Sequence, residues 1–117
     1  MIFGFIERRL AMDKNKLPIF DSHAHYDDES FNEDRDNLIP YLKEQNVVGI
    51  INCGSTLEGT IASYELAEKY PFIYAAVGIH PEEAYEYNAA VRNRIIEMAE
   101  SSKVKAIGEI GLDYYWE

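Results

Sequence analysis

The segment Asp21-Ser22-His23-Ala24-His25 follows directly on the apolar run Leu17-Pro18-Ile19-Phe20. On a strand, residues i and i+2 face the same side. His23 and His25 can therefore close on one ion, and an imidazole pair suits Zn²⁺ or another borderline divalent metal. The plainer reading of an isolated H-x-H is two polar residues in a loop. The third histidine stands in Gly78-Ile79-His80-Pro81. It could touch a substrate phosphate or protonate a leaving group, or it could fill a turn shaped by Gly78 and Pro81. Glu109 offers a hard carboxylate oxygen, fit to bridge two metals or to act as a base. Asp21 could orient a ligand histidine or make a turn. Asp113, close after Gly111, is open between a site role and a turn role. Cys53 reads as a small buried residue near the site, since nothing singles out a base to activate it.

These groups need a frame, and the hydrophobic pattern supplies one. Leu17–Phe20 is too short for a helix and reads as a strand. Phe31 to Gln45 has helical spacing, with Leu38, Tyr41 and Leu42 on one side and Asn32 as its expected N-cap. Val47–Ile51 is a β-branched run without polar alternation, which predicts a strand buried on both faces. Ser55-Thr56-Leu57-Glu58 fits a capping box opening a helix to Lys69, and Pro71 ends it. Phe72–Val77 is the third strand. Asn88 is the expected cap of a helix with a stripe of Val91, Ile95, Met98 and Ala99. Val104–Glu109 is the fourth strand.

The order βαβαβαβ predicts an α/β fold with a parallel sheet and right-handed crossovers. It does not separate an open sheet from a barrel. In both, ligands bind beyond the carboxyl ends of the strands. His23, His25, His80 and Glu109 all fall there, so the chain is expected to gather one polar face. The loop Asn52–Ser55 also opens a helix, whose N–H groups could receive an anion. The run Asp27-Asp28-Glu29 is expected to be solvated.

The chain has 117 residues, 47% of them hydrophobic, enough for one packed domain and too few for two. Its formal net charge of −10 argues against holding nucleic acid on a basic surface. Bound metal ions could still supply positive charge locally. Cys53 is the only cysteine, so a reducing compartment, the cytoplasm, is expected. Nothing resembles a membrane span. Met1–Ile6 is apolar but precedes Glu7, Arg8 and Arg9, the wrong order for a signal peptide. Residues 1–16 are expected to be an extension outside the fold, disordered or a short docking helix, with the domain at 17–117.

Three motifs in order carry a resemblance: Phe20-Asp21-Ser22-His23-Ala24-His25, Val77-Gly78-Ile79-His80-Pro81, and Ile107-Gly108-Glu109-Ile110-Gly111-Leu112-Asp113-Tyr114. Together they resemble the amino-terminal part of the TatD-type metal-dependent deoxyribonucleases, over about residues 17–117. The resemblance implies a (β/α)₈ TIM barrel of which this chain covers the first four strands. It implies two divalent metal ions, Zn, Mg or Mn. His23 and His25 would bind one, and Glu109 would bridge both as a catalytic residue. His80 would lie in the substrate cleft, catalytic or substrate-binding, with Asp113 close by. The activity implied is hydrolysis of phosphodiester bonds in DNA or a small phosphodiester.

The family's later strands carry further metal-binding residues that have no counterpart here. The chain is therefore expected to be a truncated half barrel with two open edges. It is expected to self-associate or to pair with a missing carboxyl-terminal half. Two other readings stand beside this one. The half barrel could be a non-catalytic metal-binding or self-associating module. It could also belong with the amidohydrolases that begin with H-x-H, many of which use a carboxylated lysine at the end of strand four. Lys103 and Lys105 lie at the opposite end of that strand. Tyr114-Tyr115-Trp116 could stack on a nucleobase.

Overall fold

A computed structural model describes residues 15–115 of the chain. Most of the expected extension at 1–16, and Trp116, lie outside the described residues. Four strands form one parallel sheet: β1 (Ile19–Ala24), β2 (Val47–Cys53), β3 (Ile73–Val77) and β4 (Val104–Ile107). Between them run the helices α1 (Arg35–Glu44), α2 (Leu57–Lys69) and α3 (Ala89–Ala99). Short 3₁₀ turns at Glu29–Phe31 and Pro81–Glu86 precede α1 and α3.

The strand order β1-β2-β3-β4 decides what periodicity left open. A doubly wound sheet reverses its order at a switch point and carries helices on both faces. Here the order never reverses. Ile50, Ile73, Ala75 and Val77 of the sheet share a single core with Ile39 of α1, Leu66 and Ala67 of α2, and Val91, Ile95 and Met98 of α3. All three helices therefore cover the same face, as in half of a (β/α)₈ barrel.

The other face is lined by small residues. Cys53 pairs with Ala76, and Ala76 with Ala106. Phe20 lies directly over Gly49, where a Cβ would come within 2.4 Å of its ring. Among the described residues nothing seals this face, and Phe20 stays 54% exposed. At the far edge Ile107 is 51% exposed, β4 having no strand partner on its outer side among the described residues.

Several local expectations change. β1 extends through Ala24, so His23 lies within the strand and His25 just past it. β2 is not buried on both faces throughout. Its register against β1 slips between Ile19 and Phe20, which passes over Val48 and leaves it 41% exposed. Asn32 does not cap α1. Asp28 caps the preceding 3₁₀ turn by accepting from Ser30 N–H, and α1 starts only at Arg35. The buried face of α1 centres on Ile39, whereas Tyr41 is 54% exposed. In α2 the cap is Thr56, which accepts from Gly59 N–H at 2.9 Å, and not Ser55. Asn88 does cap α3, accepting from Val91 N–H. β4 ends at Ile107, two residues before Glu109, across a cis Gly108–Glu109 peptide.

Candidate metal centre

The bulged end of β1 aims His23 and His25 at one point. Their Nε2 atoms are 3.1 Å apart, and a Glu109 carboxylate oxygen lies 3.1 Å from His23 Nε2. One ligand atom from each residue lies within 4.8 Å of the others. Two nitrogens each about 2.05 Å from a zinc ion, at the tetrahedral angle, would stand about 3.3 Å apart. The spacing thus suits one shared ion with little rearrangement.

The tautomers point the same way. His25 Nδ1 lies 3.0 Å from the carbonyl oxygen of Cys53. A carbonyl can only accept, so Nδ1 carries the proton, and in the neutral ring Nε2 presents a bare lone pair. That lone pair faces His23 Nε2, which also faces a carboxylate. A single proton on His23 serves only one of these neighbours. A cation at their centre serves all three, and the two-nitrogen, one-oxygen set suits a borderline divalent ion. Asp21 accepts from the backbone N–H of His23 at 3.2 Å, a local bond at the bulge in β1.

Glu109 and His80 are placed by the main chain of a neighbouring loop. Three consecutive carbonyls, from the last residue of β2 into the loop, each hold one site residue. Cys53 takes His25 Nδ1–H, Gly54 takes Glu109 N–H at 2.8 Å, and Ser55 takes His80 N–H at 2.7 Å. The loop therefore contributes no ligand and aligns three other residues. Its amides are committed as well. Gly54 N–H bonds Ala76, Leu57 N–H bonds the Glu86 carboxylate at 3.0 Å, and Gly59 N–H bonds Thr56. The expectation of an anion at this helix start fails for those groups, because the chain's own acceptors fill them.

His80 shapes the turn, the plainer of the two roles left open for it, and it also faces a cavity. Its Nδ1 accepts from Glu82 N–H at 3.1 Å and so caps the turn Pro81–Glu86. A neutral ring bonded in this way carries its proton on Nε2, a donor. His80 also lines a cavity of about 460 Å³ on the open sheet face, together with His23, Cys53, Glu109 and Asp113. Asp113 accepts from Tyr115 N–H at 2.9 Å, which gives it a turn role at the cavity edge. A second opening, of about 340 Å³, joins His25, His80 and Glu109 to an acidic mouth of Asp27, Asp28, Glu82 and Glu83. Burial, reinforced by the nearby Glu109 charge, pushes the Cys53 thiol up from its ordinary range, so it stays protonated at neutral pH. Tyr114 and Tyr115 are exposed.

Residues without an obvious motif hold the loop after β1. Arg35 donates to the carbonyls of Tyr26, Asp27 and Asp28 and to Asn32. Asn52 is fully buried. It accepts from Tyr26 N–H at 2.7 Å and donates to Asp27 and Ser63. An asparagine inside an apolar strand was a usable signal, because a buried amide needs partners. Arg35 gave none. Lys103 reaches the carbonyls of Tyr70 and Pro71, and both Lys103 and Lys105 lie over the Tyr74 ring. Neither is at the Glu109 end, so a carboxylated-lysine ligand on β4 is absent. No helix among the described residues is long and apolar enough to cross a membrane.

Comparison with known proteins adds an independent line. Residues 20–117 match the family model described as TatD related DNase. The chain is 37% identical over 99 residues to the uncharacterized metal-dependent hydrolase YabD of Bacillus subtilis (strain 168), covering 85% of this chain and 39% of YabD. It is 31% identical over 96 residues to the 3'-5' ssDNA/RNA exonuclease TatD of Escherichia coli (strain K12), covering 82% and 37%. The crystal structure of YJJV, a TatD homolog from Escherichia coli K12, superposes with a TM-score of 0.71 at 30% identity, covering 83% of this chain and 38% of that one. The chain thus spans about two-fifths of the length of these relatives.

Proposed function

The chain belongs to the TatD-related DNase family, and from that premise we propose that its site serves metal-dependent hydrolysis of phosphodiester bonds in DNA or a smaller phosphodiester. The observation that carries this is the convergence of His23, His25 and Glu109 beside a histidine donor, on the face where barrel enzymes work. A divalent ion held by those three residues would act as a Lewis acid on a phosphoryl oxygen and make water a stronger acid.

The chain's own residues do the rest. Cys53 keeps the proton of His25 on Nδ1, so Nε2 stays available as a ligand. The Glu109 carboxylate can serve as a ligand and take a proton from the attacking water. His80, with its proton on Nε2, can donate to a phosphate oxygen or to the departing alcohol. Asp113 at the cavity edge would contact substrate. Two ions are the number we favour. The described residues offer one three-residue cluster, so donors for a second ion would come from other parts of a closed barrel. The same units would cover the open sheet face, supplied by a longer chain or by a second copy.

Single-stranded DNA and RNA are the first substrates to try, given the name of the Escherichia coli relative. The test is cleavage of a labelled oligonucleotide with Mg²⁺, Mn²⁺ or Zn²⁺. Metal-stimulated turnover lost in Glu109→Ala is expected. A folded, metal-loaded chain with no turnover in any of the three metals would favour the non-catalytic metal-binding module instead.

A further inference from the structure

Thr60 lies one turn into α2, is fully buried, and its hydroxyl bonds none of the candidate ligands. A threonine in a helix commonly spends its hydroxyl on its own helix, on a carbonyl one turn back. Here Oγ1 reaches across to β3's end. It donates to the carbonyl of Gly78 at 2.6 Å and accepts from the N–H of Gly78 at 3.2 Å. One side chain therefore satisfies both polar groups of a buried peptide segment. The same side chain fills the space against Gly54, where a Cβ would come within 2.0 Å of Oγ1 and 2.6 Å of Thr60 Cα.

Gly54 and Gly78 are the two segments between which Glu109 is suspended. Gly54 receives Glu109 N–H at 2.8 Å. Gly78 lies flat against the main chain of Gly108 and Glu109, with room for no Cβ. Two residues past Gly78 stands His80, tied to the loop of Gly54 through Ser55.

We propose that Thr60 is a positioning residue: its hydroxyl locks Gly78 to the loop at Gly54, and so sets the place of Glu109 and His80 and the strength with which His23, His25 and Glu109 bind a divalent ion. The proposal rests on reading that cluster as a metal centre, and its test separates the two. A valine at this position has nearly the same shape and no hydroxyl, and leaves both Gly78 groups buried without a partner.

The experiment is titration of the full chain with Co²⁺, followed by its visible absorption, for wild type, Thr60→Val and Thr60→Ser. Amide chemical shifts of Gly78, His80 and Glu109 are recorded in parallel without metal. Thr60→Val is expected to lose about 10- to 100-fold in Co²⁺ affinity and to shift those amides, and Thr60→Ser to restore both within a few-fold. Ile95→Ala, a core change in α3, controls for lost stability and should leave Co²⁺ affinity unchanged. Wild-type affinity in Thr60→Val overturns the proposal. Should Thr60→Val not fold, Thr60→Ala carries the same comparison. If wild type itself binds no Co²⁺, the metal-centre reading fails. The amide shifts then decide the positioning role alone, and unmoved shifts overturn it.

Discussion

Replacing Gly78 by alanine should damage the metal centre from a residue that touches no ligand side chain. A Cβ at this position would stand 2.7 Å from the Gly108 carbonyl carbon, 2.8 Å from Gly108 O and 2.9 Å from Glu109 O. Carbon atoms in comfortable contact are about 3.5–4.0 Å apart, so roughly 0.8 Å must be found. All three neighbours are main chain, which cannot swing aside as the end of a flexible side chain can. The Gly108–Glu109 segment must therefore move, and it carries the carboxylate ligand. Metal–ligand distances tolerate only about 0.2 Å. Overpacking of this kind costs about 1–3 kcal/mol, and each kcal/mol lowers the melting temperature of a domain this size by roughly 4–8 °C. Weakened support of one ligand should cost about 10- to 100-fold in affinity. The assay is thermal unfolding of the metal-free chain together with Co²⁺ titration. Gly108→Ala is the control, since its Cβ would meet nothing closer than 3.8 Å. Gly78→Ala with wild-type melting and wild-type Co²⁺ affinity would refute the view that this contact places Glu109.

Two more outcomes follow from residues outside the cluster. Arg35→Lys should lower the urea midpoint by the equivalent of about 1–3 kcal/mol with an unchanged slope. A single ammonium cannot span the four acceptors that the guanidinium reaches, and a midpoint equal to wild type would show that these bonds carry no net stability. The Cys53 thiol should react slowly with a disulfide reagent at pH 8 in the folded chain and fast in urea. Its stabilising contribution is fully present below the ordinary thiol value, about 8.5, and is lost as pH rises through the higher folded value. Wild type should therefore lose stability more steeply than Cys53→Ala above pH 8.5, and parallel pH curves would contradict the raised value.

The parts of this protein that the sequence made legible are those written in side chains with a period. Apolar runs marked all four strands, and Asn88 and Pro71 marked helix limits that hold. Each of His23, His25, His80 and Glu109 could be found because it follows directly on such a run. The cap of α2 was misplaced by one residue because Ser55 and Thr56 are both capable caps. What chose between them is tertiary: the Ser55 carbonyl is drawn toward His80. On α1, Leu42 packs on the core as expected, but the buried face centres on Ile39 and leaves Tyr41 exposed, because the amphipathic Tyr41 sits at the stripe's margin. Arg35, Thr60 and Glu86 went unseen for one shared reason. Their main partners are backbone carbonyls and amides, which every residue carries, so no residue type elsewhere in the chain signals the bond. Barrel against open sheet was not legible either. It depends on which way successive crossovers step, and hydrophobic period says nothing about that.

The triplet Cys53-Gly54-Ser55 separates two kinds of information that most sites keep on the same atoms. Alignment of the ligands is written in its carbonyls, and those are indifferent to what side chains the residues bear. The side chains face elsewhere: Cys53 lines the cavity on the sheet, and Ser55 lines the acidic mouth. Selectivity at these two positions can therefore drift, or be redesigned, without re-aiming the centre. Gly54 has no such freedom, because Thr60 occupies the space its side chain would need. The segment offers an engineer two adjustable surfaces around one immovable hinge-pin.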